Sequence, residues 1–201
     1  MTLGIIAGNQ TTIGLPTYDT VFHDGIHIIS SFSNTTAFVE SAATINIGTP
    51  GTPGGYNGIS VAIDSSGSNT ISIQNTGPIG NATNPVGYNG IFGRITADND
   101  GQQTIYVSNT MPIFSAHDGI HQYARDDEAY NGKGSVSITI FNTGNLSAGY
   151  QGIHAHAVVD TYGPNSVATA TVVITNGNAT SGSITSHRTG IYGNATADAH
   201  E

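Results

Sequence analysis

A four-residue anchor recurs along the chain, and no other feature restricts the fold as strongly. It consists of a Tyr or His, a polar residue, then Gly-Ile. It reads His23-Asp24-Gly25-Ile26, Tyr56-Asn57-Gly58-Ile59, Tyr88-Asn89-Gly90-Ile91, His117-Asp118-Gly119-Ile120 and Tyr150-Gln151-Gly152-Ile153. A looser sixth copy is His187-Arg188-Thr189-Gly190-Ile191. Successive Ile positions lie 33, 32, 29, 33 and 38 residues apart. Self-similarity at such a period marks stacked supersecondary units, none of which buries its apolar face alone.

A second anchor lies between copies of the first. It reads Ile71-Ser72-Ile73-Gln74-Asn75-Thr76-Gly77, Ile105-Tyr106-Val107-Ser108-Asn109-Thr110, Ile138-Thr139-Ile140-Phe141-Asn142-Thr143-Gly144 and Val172-Val173-Ile174-Thr175-Asn176-Gly177. Ile45-Asn46-Ile47 reads as the same strand in the first copy. Period-two alternation indicates strands with one buried face. The Asn-Thr-Gly that follows suits a turn with positive φ or a side chain that caps its own backbone. A third apolar point follows each turn, at Ile79, Ile113, Leu146 and Ile184.

No segment carries the 3.6-residue apolar period of a helical solenoid, and an antiparallel sandwich does not demand identical anchors at this beat. The expectation is an all-β, single-stranded parallel β-helix (β-solenoid) of about six coils at a ~33-residue repeat. Residues 1–22 form a partial coil or cap and residues 23–201 the repeats, cut short in the sixth. Ile26, Ile59, Ile91, Ile120, Ile153 and Ile191 then make one inward ladder, and Asn75, Asn109, Asn142 and Asn176 an asparagine ladder. From first-anchor to second-anchor Ile the separations are 19, 12, 14, 18 and 19, which reads as loops of varying length around a constant cross-section.

Composition supports this and narrows the partners. Gly, Thr, Ser and Asn make up 89 of 201 residues, and only 8% are charged, against roughly 25% in ordinary domains. That excludes a helical bundle, while 37% hydrophobic content argues against disorder. A net charge of −9 argues against nucleic acid and against polybasic attachment to anionic lipid. The absence of cysteine excludes thiol chemistry and disulfides. No apolar run approaches the ~18 residues of a membrane span, so direct membrane insertion of this segment is not expected. Met1-Thr2-Leu3-Gly4-Ile5 lacks a basic n-region and a long apolar h-region, so the expectation is either a cytosolic protein or an excerpt of a longer exported chain, and the repeat favours the excerpt.

Histidine is the enriched functional side chain, with 8 copies. In the stacked arrangement His27, Ser60, Phe92, His121, His154 and Tyr192 share one column after the Ile anchor, and His156 alternates to the same side as His154. His121, His154 and His156 are candidate ligands for a borderline metal; as plain structure they are a surface column beside a turn. Asp98 and Asp100, in Asp98-Asn99-Asp100-Gly101, have the oxygen-rich look of a calcium loop but lack the later Glu, and a β-turn explains them as well. Asp126-Asp127-Glu128 reads as a solvated loop tip. Tyr56, Tyr88, His117 and Tyr150, the column before the anchor together with His23, are candidates for binding sugars or an apolar partner; structurally they shield a corner. A polysaccharide lyase or hydrolase needs convergent carboxylates beside a base. With Arg94, Arg125, Lys133 and Arg188 the whole basic set and no Gly-x-Ser-x-Gly elbow, no catalytic residues and no cofactor are expected.

The alternation of Gly-Tyr-x-Gly-Ile with Ile-x-Ile-x-Asn-Thr-Gly-x-Ile over residues 23–201 resembles the passenger region of bacterial autotransporters (type V secretion). The resemblance implies a right-handed parallel β-helix carried to the bacterial cell surface by a C-terminal outer-membrane β-barrel. It implies an extracellular, non-catalytic stalk whose partners are a host or neighbouring-cell surface protein or glycan. Low charge and absent cysteine agree with a passenger that crosses the outer membrane unfolded. The chain departs from the complete family pattern in showing neither signal peptide nor barrel strands. An alternative expectation is self-assembly, with coils stacking end to end into a filament.

Overall fold

A computed structural model describes residues 1–8, 12–13, 24–47, 56–98, 101–130, 132–177 and 181–200. Among the described residues there is no helix, and the chain winds as a parallel β-solenoid of about five turns with a ~34-residue repeat. β1 (Thr2–Ala7) and β2 (Thr12–Ile13) precede the first full coil, β3 (Ile26–Ser30), β4 (Thr36–Ser41) and β5 (Thr44–Ile45). The second coil has β6 (Ile59–Asp64) and β7 (Asn69–Asn75), its third side reduced to a bridge at Ile79. The third has β8 (Ile91–Asp98), β9 (Gln102–Asn109) and β10 (Ile113–Ser115). The fourth has β11 (Ile120–Tyr130), β12 (Lys133–Asn142) and β13 (Leu146–Ala148). The fifth has β14 (Ile153–Tyr162), β15 (Val167–Asn176) and β16 (Ile184–Ser186), and β17 (Ile191–His200) begins another. Corresponding strands stack into three parallel faces.

On the first face Ile26, Ile59, Ile91, Ile120, Ile153 and Ile191 are consecutive register partners, the ladder expected from the anchor. The preceding glycine is required by crowding rather than by torsion. A Cβ on Gly58 would collide with Ile79 and with the carbonyl of Gly90, and Gly90 repeats this against Ile113 and Gly119. On the second face one ladder is Ala37, Ile71, Ile105, Ile138 and Val172, the other Val39, Ile73, Val107, Ile140 and Ile174. Ile45 and Ile47 therefore do not occupy these ladders, contrary to the sequence reading. Ile45 bridges Ile79, which bridges Ile113, and Leu146 and Ile184 continue that third-face column. The first-copy strand carries the smaller apolar pair Ala37 and Val39 in place of the Ile-x-Ile motif, which recurs here on the third face at Ile45 and Ile47.

The expectation of a constant cross-section with variable loops also fails. The extra residues extend the strands: β6 and β7 have 6 and 7 residues, β8 and β9 have 8 each, β11 and β12 have 11 and 10. The first and second faces widen along the axis, and backbone donors stay paired where a loop would leave them to solvent. Asp126-Asp127-Glu128 consequently lies within β11 and not at a loop tip. Asp126 is buried, and Asp127 accepts a 2.6 Å bond from Arg125 Nε.

Candidate functional site

Polar side chains guard all three corners of the coil. Between the second and third faces, Asn75 Nδ2 donates to Asn109 Oδ1 at 2.7 Å, Asn109 to Asn142 at 2.7 Å and Asn142 to Asn176 at 2.6 Å. Each of the first three also donates to the carbonyl two residues on, at Gly77, Met111 and Gly144. Of the two sequence options for this turn, the self-capping side chain is the one adopted at these rungs; in the turn after Asn176, Gly177 and Gly182 take positive φ. Between the first and second faces, Asn69 accepts from the Thr35 N–H and donates to Gln103 Oε1, both at 3.0 Å. That second amide ladder has no repeated motif to betray it.

The third corner is built by the polar residue of the anchor, and here the chemistry concentrates. The side-chain oxygen of each rung accepts the backbone N–H of the next: Asp24 from Asn57, Asn57 from Asn89, Asn89 from Asp118 and Asp118 from Gln151. In the fourth coil this rung is a carboxylate, and Asp118 is fully buried. His121, one residue into β11, places Nδ1 2.8 Å from Asp118 Oδ2. His154, its register partner in β14, places Nδ1 3.5 Å from the same oxygen. The two rings are 4.4 Å apart. His117 Nδ1 lies 3.2 Å from Asp118 Oδ1 but off hydrogen-bond geometry, leaving a charge contact.

Burial opposes ionisation of Asp118, but the His121 and His154 imidazoles, the Gln151 N–H and the charge of His117 outweigh it. The carboxyl is held well below the usual carboxylate range. His156 is lowered, by burial first and then by its neighbours His154 and His121. It contacts Asn194 Nδ2 at 3.2 Å.

Of the candidate metal ligands, the structure joins His121 and His154 through Asp118, whose ligand atoms all lie within 4.8 Å of one another. His156 is outside this group. Asp98 ends β8 as an exposed residue, far from forming part of it, and Asp100 lies outside the described residues. Asp118 itself was missed by sequence reasoning, although His-Asp-Gly-Ile-His, with Asp and His three apart, was the available signal.

The aromatic column before the anchor is continuous from Tyr88 to Tyr150. Tyr88 stacks on His117 at 4.5 Å, His117 on Tyr150 at 4.7 Å, and the Arg188 guanidinium covers Tyr150 at 4.5 Å. Arg188 rather than His187 thus takes the column position in the loose sixth anchor. Tyr56 is exposed, and His23 lies outside the described residues. The fold and these corners define the chain as a parallel β-solenoid with polar inter-coil ladders. No family model, curated protein or solved structure matches it.

Proposed function

We propose that the chain is a non-catalytic extracellular stalk of a bacterial surface protein, of the autotransporter-passenger type, which presents its outer columns to a protein or glycan on another cell. The observation that supports this reading best is the exterior. Three faces hold register from coil to coil while Tyr88, His117 and Tyr150 form a stacked, partly exposed outer stripe. The rings cover one another's faces and Arg188 covers Tyr150, so the stripe offers ring edges and tyrosine hydroxyls, an amphipathic surface that suits a protein or glycan. The buried amides and carboxylates support a structural role too, since they are engaged between coils.

Binding of the purified chain to intact cells and arrayed glycans tests the proposal. Saturable binding that falls in a Tyr88→Ala, Tyr150→Ala double variant is expected. Turnover of an acidic polysaccharide, or no binding by folded protein, overturns it. The secretion class is tested separately by the adjoining coding sequence, where an in-frame outer-membrane β-barrel is expected.

End-to-end stacking of coils into a filament by strand pairing is a second reading. Sedimentation over a concentration series separates the two, because a monomer at high concentration removes the filament.

A further inference from the structure

We propose that Asp118, His121 and His154 bind one divalent first-row transition-metal ion of the zinc class, which bridges the fourth and fifth coils. Two imidazole nitrogens and one carboxylate oxygen form a borderline donor set suited to such ions and leave positions open for water or a further ligand. An ion about 2.0–2.1 Å from N and O donors holds neighbouring donors about 2.9–3.4 Å apart. The two distances from Asp118 Oδ2, 2.8 Å to His121 and 3.5 Å to His154, bracket that separation.

The carboxylate is fixed before any ion arrives. Its other oxygen accepts the Gln151 N–H at 3.1 Å, the outer-shell support that orients a ligand. Phe92 and Tyr192 meet the histidine pair edge-on from below and above, at 5.6 and 5.1 Å. The two imidazoles keep 21% and 24% side-chain exposure, so an ion has a path in.

An internal comparison separates this arrangement from an ordinary Asp–His hydrogen bond. The first anchor repeats the motif, and His27 Nδ1 meets Asp24 Oδ2 at 2.5 Å. The register partner of His27 in the next coil is Ser60, so among the described residues one imidazole meets Oδ2 of Asp24, where His121 and His154 both meet Oδ2 of Asp118. The short motif supplies the Asp–His pair, and the stacking supplies the third donor.

Calorimetric titration of the full chain with ZnCl2, alongside the visible spectrum of the Co2+ form, tests the site. One ion per chain is expected. His121→Ala and His154→Ala should each weaken binding at least about tenfold, while His27→Ala leaves it unchanged. Zinc should raise the melting temperature of the unsubstituted chain by mass action and raise those of the two variants less at the same concentration. No binding by the unsubstituted chain, or unchanged affinity in both variants, overturns the proposal. Should either variant fail to fold by circular dichroism, the imidazole resonances of the unsubstituted chain decide. Zinc must shift those of His121 and His154, and a shift confined to other histidines overturns the assignment.

Discussion

At the residue scale, buried amides at the corners pair from coil to coil, and buried atoms without a partner show where a ladder stops. The asparagine ladder ends at Asn75, whose Oδ1 is buried without a donor. The register position below it is Ser41, whose hydroxyl is buried and equally unpartnered. Ser41→Asn should extend the ladder by one rung and raise stability by about 1 kcal/mol, read as a higher denaturation midpoint with unchanged slope. The apolar ladders set the opposite expectation. Ile120→Asp puts a carboxylate at a fully buried rung and should cost more than about 4 kcal/mol; an unchanged melting temperature would refute the inward assignment. Gln122 points into the core between Gly93 and Ala155, filling the space that Gly93 leaves. Alternation puts Gln122 on the face of Ile120, and the glycine beside it in the stack makes room for a polar side chain there.

At the scale of the element, legibility follows repetition. The first-face strands were readable because Gly-Ile is demanded by the same crowding at Gly25, Gly58, Gly90, Gly119 and Gly152, and the Asn-Thr-Gly turn because an amide must reach both its own turn and the next. The first copy of the second-face strand was not, since Ala37, Val39 and Ser41 satisfy the same packing with none of the motif residues. The Asp118 corner was half legible. Histidines could be placed in one column by counting, but the carboxylate that joins them belongs to a ladder whose rungs change from Asp to Asn to Gln.

That corner also fixes a pH dependence. Asp118 and His156 are both held below their ordinary values when folded, so at low pH the unfolded chain binds more protons and stability falls. The loss should begin near pH ~6.5 as unfolded His156 becomes protonated and steepen below pH ~4 as the unfolded carboxyl does. Melting temperatures measured from neutral pH down to pH 3 check this, and Asp118→Asn should flatten the portion below about pH 4.

At the scale of the whole molecule, the low charge and the abundance of small polar residues follow from stacking. Equivalent residues recur one strand spacing apart, about 4.8 Å, so a charged column would repel itself, whereas amide, aromatic and β-branched columns reinforce from coil to coil. The same spacing provides the most direct test. Thr36, Thr70, Thr104, Ser137 and Thr171 are consecutive register partners on the second face. The chain contains no cysteine, so a Thr36→Cys, Thr171→Cys variant takes spin labels at those two sites alone. Pulsed electron paramagnetic resonance should then give a single narrow distance near four strand spacings, about 19 Å, between residues far apart in sequence. A broad distribution, or a narrow one beyond about 35 Å, which is more than seven strand spacings, would contradict the solenoid.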